Sequence, residues 1–188
     1  MARVAWLLLS ALTLAACSEP PAKERHQAEG ALAAARAADA AIYAPQELAD
    51  AEAALQRYDE AVAQRDYRLA LDRAIEARDR AFDAARLAGD RKADTRSQAE
   101  RLLAELEALA SAASARLAGT GRGARVTGAA ADRLRAAEQD ASSAMQEART
   151  LIDRQAYHDA IQRLAPIVER LQLDLPRAGP PAIRRGGR

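Results

Sequence analysis

The chain has 188 residues and a formal net charge of +1; 52 residues are alanine, and aromatic residues make up only 3%. A net charge this close to zero produces no general field that would attract nucleic acid or an acidic substrate. Alanine, leucine, arginine and glutamate are also the residues that cost least to hold in a helix. The composition therefore predicts an all-α protein of one domain or two small helical units, with no nucleic-acid partner.

The N-terminal residues have the features of a secretory signal. Arg3 precedes an apolar run of 11 residues, Val4 to Leu14, and the small residues Ala15 and Ala16 follow it. Eleven residues rise only about 17 Å as a helix, whereas a membrane span needs about 20 residues. Residues 1–16 are therefore predicted to be a signal peptide and not a permanent transmembrane helix.

Leu14-Ala15-Ala16-Cys17 resembles the lipobox of bacterial lipoproteins. The resemblance implies cleavage between Ala16 and Cys17, a diacylglycerol on the Cys17 thiol and an acylated new amino group. Because two or three acyl chains hold a protein on a bilayer, the lipid bilayer is the first expected partner. In that family, aspartate after the cysteine tends to retain a lipoprotein in the inner membrane, whereas serine permits export. The resemblance and Ser18 therefore imply a location in the outer membrane, facing the periplasm. Residues 17–22, which include two prolines, would be the lipidated tether.

Two helices are predicted next, followed by a turn. The first runs from Lys23 to Ala44, and Pro45 opens the second, because proline suits the first turn of a helix. An apolar stripe follows one face of the second helix: Leu48, Ala51, Leu55, Tyr58 and Val62. Residues 64–71 contain a tight connection in which Asp66 caps the third helix.

The third helix is predicted to form an antiparallel hairpin with the second. Its predicted core stripe is Tyr67, Leu71, Ala74 or Ile75, Arg78 or Ala81, and Phe82. Ala88-Gly89-Asp90 is predicted to end this helix, with glycine as the cap. A fourth helix then runs from about Asp94 to Leu117, so that residues 23–117 form a helical domain containing the first hairpin.

Residues 118–128 hold four of the nine glycines and are predicted to be a linker. Gly119, Gly121 and Gly123 lack a preceding strand, the dinucleotide-binding spacing and the lysine of a phosphate-binding loop. Arg122 and Arg125 are nevertheless candidate contacts for an anion.

A second helical hairpin is predicted for residues 129–175, with its first helix beginning at Thr127 or Ala129. Residues 153–164, "DRQAYHDAIQRL", echo residues 63–74, "AQRDYRLALDRA", which suggests a duplicated hairpin. Pro166 is expected to kink the last helix or start a new turn. Residues 176–188 are predicted to be a disordered basic tail, in which Arg184 and Arg185 are further candidate anion contacts.

The stretch Ala31–Leu87, with the turn Tyr43-Ala-Pro-Gln-Glu-Leu48 inside it, resembles a domain of unknown function found in alanine-rich bacterial envelope lipoproteins. The resemblance implies tetratricopeptide-like helical hairpins and a location in the cell envelope, but no activity. The alternative architecture is a helical bundle.

The sequence contains no catalytic, metal or cofactor signature. His26 and His158 stand far apart and in no metal-binding spacing, and most carboxylates alternate with arginines at helical intervals. The sequence therefore predicts no enzyme and no cofactor. Two functions are expected: a non-enzymatic scaffold that binds another envelope protein, or a lipoprotein that binds peptidoglycan or lipopolysaccharide through its basic loop and tail.

Overall fold

The computed structural model describes residues 19–120 and 126–175. Within these ranges it contains six helices and no strand, which confirms the predicted all-α class. The helices are α1 (Ala22–Ala37), α2 (Ala40–Tyr43), α3 (Pro45–Ala63), α4 (Tyr67–Ala118), α5 (Ala129–Asp153) and α6 (Tyr157–Asp174). The chain divides into two compact units, Met1–Lys92 and Ala93–Arg188, and α4 contributes residues to both.

The core of the first unit is built largely from alanine. On α4, six alanines are fully buried and recur at alternating intervals of four and three residues: Ala70, Ala74, Ala77, Ala81, Ala84 and Ala88. These intervals place all six on one face of the helix. Because a methyl group is the only side chain at each position, α4 can approach its neighbours closely.

At the centre of the first unit, three helices meet through one alanine each. Ala28 of α1, Ala54 of α3 and Ala77 of α4 form a buried cluster, and none of the three is exposed. Larger side chains lie on either side of this layer, including Leu32 and Tyr43 in one cluster and Tyr58 in another. The layer therefore has room for methyl groups only.

The prediction of one helix from Lys23 to Ala44 is wrong. Asp39 adopts a left-handed conformation (φ 61°) and ends α1, and the four-residue helix α2 follows. Aspartate tolerates this conformation better than most residues, and Lys92 Nζ lies 2.8 Å from Asp39 Oδ2. The break lets Ala40 and Tyr43 pack in a buried cluster with alanines of α4.

The predicted end of the third helix at Ala88-Gly89-Asp90 is also wrong. Helix α4 continues without interruption from Tyr67 to Ala118, and Gly89 lies within it. Buried positions continue beyond Gly89: Ala99 follows Ala88 by eleven residues, which is close to three helical turns, and Leu106 and Ala113 follow at intervals of seven. A continuous apolar face outweighs the cost of one glycine, which is about 1 kcal/mol.

We therefore expect Gly89→Ala to stabilise the protein by up to about 1 kcal/mol. A Cβ at Gly89 would meet no atom within 4 Å, so the variant gains helix propensity without a clash. Gly128→Ala is the contrasting control, because Gly128 has a φ of +62° that alanine rarely adopts. Urea unfolding should show opposite shifts for the two variants, and a loss of stability in Gly89→Ala would contradict the continuous helix.

The predicted core stripe of the third helix is only partly correct. Ala74 and Ala81 are buried, but Phe82 is 55% exposed and Leu71 is 36% exposed. Tyr67, Ile75 and Arg78 are half-buried. The stripe predicted from the large residues is displaced from the alanine face, because the close-packed interface accepts only small side chains.

Two turns of the chain have the same geometry. Arg65 and Gln155 both adopt left-handed conformations, with φ of 59° and 61°. In each turn the next residue donates its N–H to the carbonyl five residues earlier, Asp66 to Ala61 and Ala156 to Leu151. This is the Schellman ending of a helix. Residues 63–74 and 153–164, which are similar in sequence, therefore each contain a turn of the same geometry.

These turns join the antiparallel pairs α3–α4 and α5–α6. Pro45 occupies the start of α3, as predicted. Asp66 Oδ1 accepts a hydrogen bond of 3.0 Å from the backbone N–H of Leu69, which confirms Asp66 as the cap of α4. Helix α5 begins at Ala129 after Gly128, and α6 continues through Pro166.

The second unit is a three-helix bundle with a leucine core. It consists of residues 93–118 of α4 together with α5 and α6. Its fully buried large side chains are Leu106, Leu134, Leu164 and Leu171, contributed by all three helices. Ion pairs surround this core, including Arg149 with Glu107 at 2.6 Å and Arg170 with Asp140 at 2.7 Å.

Candidate functional surface

The sequence-predicted site residues lie outside the described residues. They are the processing site Ala16 and Cys17 and the candidate anion contacts Arg122, Arg125, Arg184 and Arg185. The predicted signal peptide and the predicted basic tail also fall outside the described ranges. The surface that the structure does describe therefore supplies new candidates, and two of them lie in the first unit.

The first candidate is the junction between the tether and the helices. Tyr58 of α3 donates a hydrogen bond of 3.5 Å to the carbonyl of Pro21, the residue before α1. The guanidinium of Arg25 lies 5.9 Å from the centre of the Tyr58 ring and 3.4 Å from Asp59 Oδ1. Burial raises the pKa of Tyr58, while Arg25 acts in the opposite direction. These contacts fix the point where the chain enters the first unit.

The second candidate is an open groove between α1 and α4, with a volume of about 660 Å³. We call it the α1–α4 groove; it is lined by Gln27, Gly30, Ala31, Arg78, Asp79 and Phe82. Phe82 is the chain's only phenylalanine. A Cβ at Gly30 would meet no atom within 4 Å. The groove thus combines an exposed aromatic side chain with open space beside a helix backbone.

The sequence did not predict this groove, because the large apolar side chain of Phe82 was expected in the core. The usable signal was the spacing of the alanines on α4. Six alanines at alternating four- and three-residue intervals define one face, and Leu71 and Phe82 each follow one of them by a single position. A one-residue step turns about 100° around a helix, so a large residue there points away from the centre of the alanine interface.

A cluster of charges joins α3 and α4 on the surface of the first unit. Glu76 accepts a hydrogen bond of 2.6 Å from Arg73 and lies 2.8 Å from Arg80 and 3.5 Å from Arg57. The hydrogen bond from Arg73 lowers the pKa of Glu76 below its ordinary value, helped by the charges of Arg80 and Arg57 and opposed by partial burial. The carboxylate therefore serves as an anchor for arginines.

This lowered pKa predicts a contribution to acid sensitivity. Because the folded pKa of Glu76 lies below the unfolded one, its stabilisation is present above the unfolded pKa and is lost as the pH falls through the folded pKa. We expect Glu76→Gln to lower the free energy of unfolding at neutral pH by about 0.3–1 kcal/mol and to flatten its decline in acid.

Urea unfolding at neutral and acidic pH measures this effect. The matched control is Glu169→Gln, at an exposed residue that forms no ion pair within residues 19–120 and 126–175. Equal pH profiles for Glu76→Gln and Glu169→Gln would contradict the role of the cluster.

Groups capable of chemistry are dispersed over the described surface. His26 and His158 are both exposed. Among the described residues, no three side chains of histidine, cysteine, aspartate or glutamate converge on a point where they could hold a metal ion. None of the helices between residues 19 and 120 or between 126 and 175 has both the length and the apolar character needed to cross a membrane.

Comparison with known proteins adds no relative. No protein-family model matches the chain, and neither a curated protein nor a solved structure matches it. The functional assignment therefore depends on the residues and geometry of this chain alone.

Proposed function

We propose that the protein is a lipoprotein of the bacterial cell envelope, anchored in the outer membrane by acylated Cys17 and facing the periplasm, that acts as a non-enzymatic helical scaffold. The lipid anchor is supported by the lipobox-like sequence Leu14-Ala15-Ala16-Cys17 and the apolar run before it. The outer-membrane location is supported by Ser18, which follows the cysteine. The dispersion of histidines and the pairing of many carboxylates with arginines favour a binding role over a catalytic one.

The α1–α4 groove is the observation that carries the scaffold proposal. In a unit whose interfaces are built from alanine, the one phenylalanine is more than half exposed beside a groove. Burying an exposed aromatic side chain in a complex is strongly favourable, and aromatic residues are enriched among those that dominate binding energy. We infer that a protein partner inserts an apolar side chain beside Phe82.

Crosslinking of the lipidated protein in its own cells tests this proposal. We expect a defined crosslinked partner that is reduced by Phe82→Ala and by Gly30→Gln. The second variant places a side chain in the groove. We expect it to keep α1 intact, because a Cβ at Gly30 meets no neighbour within 4 Å and glycine is a poor helix former.

Gly89→Gln is the matched control for the crosslinking experiment. Gly89 is also a helical glycine with no atom within 4 Å of an added Cβ, and it does not line the groove. Retained crosslinking in Gly89→Gln and loss in Gly30→Gln would support the proposal. A partner that survives both Gly30→Gln and Phe82→Ala would overturn the groove as the binding site.

The second candidate function is binding of peptidoglycan or lipopolysaccharide. Four arginines and no acidic residue lie in residues 176–188, and Arg122 and Arg125 lie in the glycine-rich segment. Such segments attract polyanions with an affinity that falls as salt rises. Sedimentation with purified sacculi at increasing salt tests this function. A chain ending at Leu175 that still sediments fully would exclude the tail arginines as the cause.

A further inference from the structure

The lysines and arginines that the structure describes in the first unit, residues 19–92, fall into two groups. Nine of them lie within 4.0 Å of a carboxylate: Arg25, Arg36, Arg57, Arg73, Arg78, Arg80, Arg86, Arg91 and Lys92. Lys23, Arg65 and Arg68 form no ion pair with any described carboxylate and are exposed. We call these three residues the tether-end cations.

The tether-end cations share one end of the first unit. Helices α1 and α3 are antiparallel, because Arg25 pairs with Asp59 near one end and Arg36 with Glu52 further along. The start of α1, the end of α3 and the start of α4 therefore lie at the same end, which we call the tether end. Lys23 is in the first turn of α1, Arg68 is in the first turn of α4, and Arg65 is in the turn between α3 and α4.

Folding does not explain these positions. The N-terminus of a helix carries a partial positive charge, so a cation in the first turn is unfavourable by a few tenths of a kcal/mol. Arg65 occupies the left-handed position of a Schellman turn, and Gln155 occupies the equivalent position in the second unit, so the turn itself does not require a cation there. The end is not purely cationic, since Glu19, Glu24, Glu60 and Asp66 also lie there. The three cations are nevertheless available to an external anion.

The short tether between Cys17 and the first helix indicates which anion lies within reach, namely the lipid headgroup. Four residue steps separate Cys17 from Pro21, which Tyr58 holds against the first unit. Four steps span at most about 14 Å. The polar layer of one bilayer leaflet is about 5–8 Å thick. A chain anchored at Cys17 would therefore keep Pro21 within about 6–9 Å of the outer surface of the headgroup layer, a distance that lysine and arginine side chains at the tether end can bridge.

We propose that Lys23, Arg65 and Arg68 contact phosphate groups of the membrane that anchors the chain, so that the tether end of the first unit faces the bilayer surface. This inference rests on the proposed acylation of Cys17. Guanidinium and ammonium groups form charge-assisted hydrogen bonds with phosphate oxygens. The short tether supplies a high effective concentration, so each contact needs little intrinsic affinity.

Depth-dependent fluorescence quenching tests the orientation. The acylated full-length protein is placed in vesicles of phosphatidylethanolamine and phosphatidylglycerol that carry a nitroxide on their headgroups. A fluorophore is attached through Gln64→Cys at the tether end or Ala37→Cys at the end of α1, both at exposed positions. Ala37 lies about 22 Å along α1 from its start. We expect several-fold stronger quenching at position 64, whereas equal quenching at both positions would overturn the proposal.

Removal of the cations tests their role. Lys23→Gln, Arg65→Gln and Arg68→Gln combined should weaken quenching at position 64 and leave vesicle flotation unchanged. The matched control removes the same charge from paired positions, with Arg36→Gln, Arg78→Gln and Arg86→Gln combined. Unchanged quenching in the first triple variant would overturn the phosphate contacts. A chain that carries no acyl group on Cys17 and does not float with vesicles would overturn the anchor and this inference together.

Discussion

Replacement of Leu164 by alanine is expected to lower the free energy of unfolding by about 2–5 kcal/mol. Leu164 lies on α6, has no exposed surface, and belongs to the cluster that contains Leu106, Leu134 and Leu171. Loss of its isopropyl group removes buried apolar surface and leaves a cavity that a bundle of three helices closes only in part. Urea unfolding followed by far-UV circular dichroism measures the change.

Leu173→Ala is the control for this prediction. It makes the same chemical change on the same helix, but the side chain of Leu173 is 79% exposed. We expect an effect within about 0.5 kcal/mol of zero. Equal losses of stability in Leu164→Ala and Leu173→Ala would contradict the assignment of α6's buried face.

The buried cluster of Ala28, Ala54 and Ala77 in the first unit is expected to be destabilised by a larger side chain, whereas the leucine core of the second unit is destabilised by a smaller one. Ala54→Leu adds three carbons where Ala28, Ala54 and Ala77 meet, and we expect it to cost about 1–3 kcal/mol because the helices must separate or adopt strained rotamers. A position beside an unfilled cavity would instead gain stability from the added apolar surface. The sign of the effect therefore distinguishes a close-packed alanine interface from a loosely filled one.

Ala49→Leu is the matched control for the alanine layer. Ala49 lies on the same helix α3 but is exposed. Leucine and alanine are both good helix formers, so we expect a change of a few tenths of a kcal/mol. A stabilised Ala54→Leu, or equal effects at the two positions, would contradict the close packing of α1, α3 and α4.

The sequence predicted the local signals of the fold well. Pro45 opens α3, Asp66 caps α4, and the two echoed segments form the same turn. Each of these features depends on a few neighbouring residues: the fixed φ of proline, a carboxylate within reach of a free N–H, or a helix ending. Such features are readable from short stretches of sequence.

The errors arose where tertiary packing outweighed local preference. Gly89 looked like a helix end, but buried positions resume on nearly the same face of the helix at Ala99, eleven residues after Ala88. Leu71 and Phe82 looked like core residues because they are large, whereas the helices pack through methyl groups instead. Asp39 gave no clear sign of its left-handed conformation. In an alanine-rich chain, side-chain size is a poor guide to burial.

The candidate sites also differ in whether a short stretch of sequence or only the folded structure reveals them. The lipobox-like sequence at Cys17 is a local pattern, and the anchor that it predicts lies outside the described residues and stays a prediction. The α1–α4 groove and the tether end bring together residues from helices far apart in the sequence. Their recognition required the pairing of α1 with α3 and α4, which no short pattern specifies.

The mass of the N-terminal peptide of the protein isolated from its own membranes tests the central claim most directly. We predict a chain that begins at Cys17 and carries a diacylglycerol on the thiol and an acyl group on the new amino group. Cys17→Ser should accumulate as an uncleaved or mislocalised precursor without acyl groups. A wild-type chain that retains residues 1–16, or an acylated Cys17→Ser variant, would contradict the account.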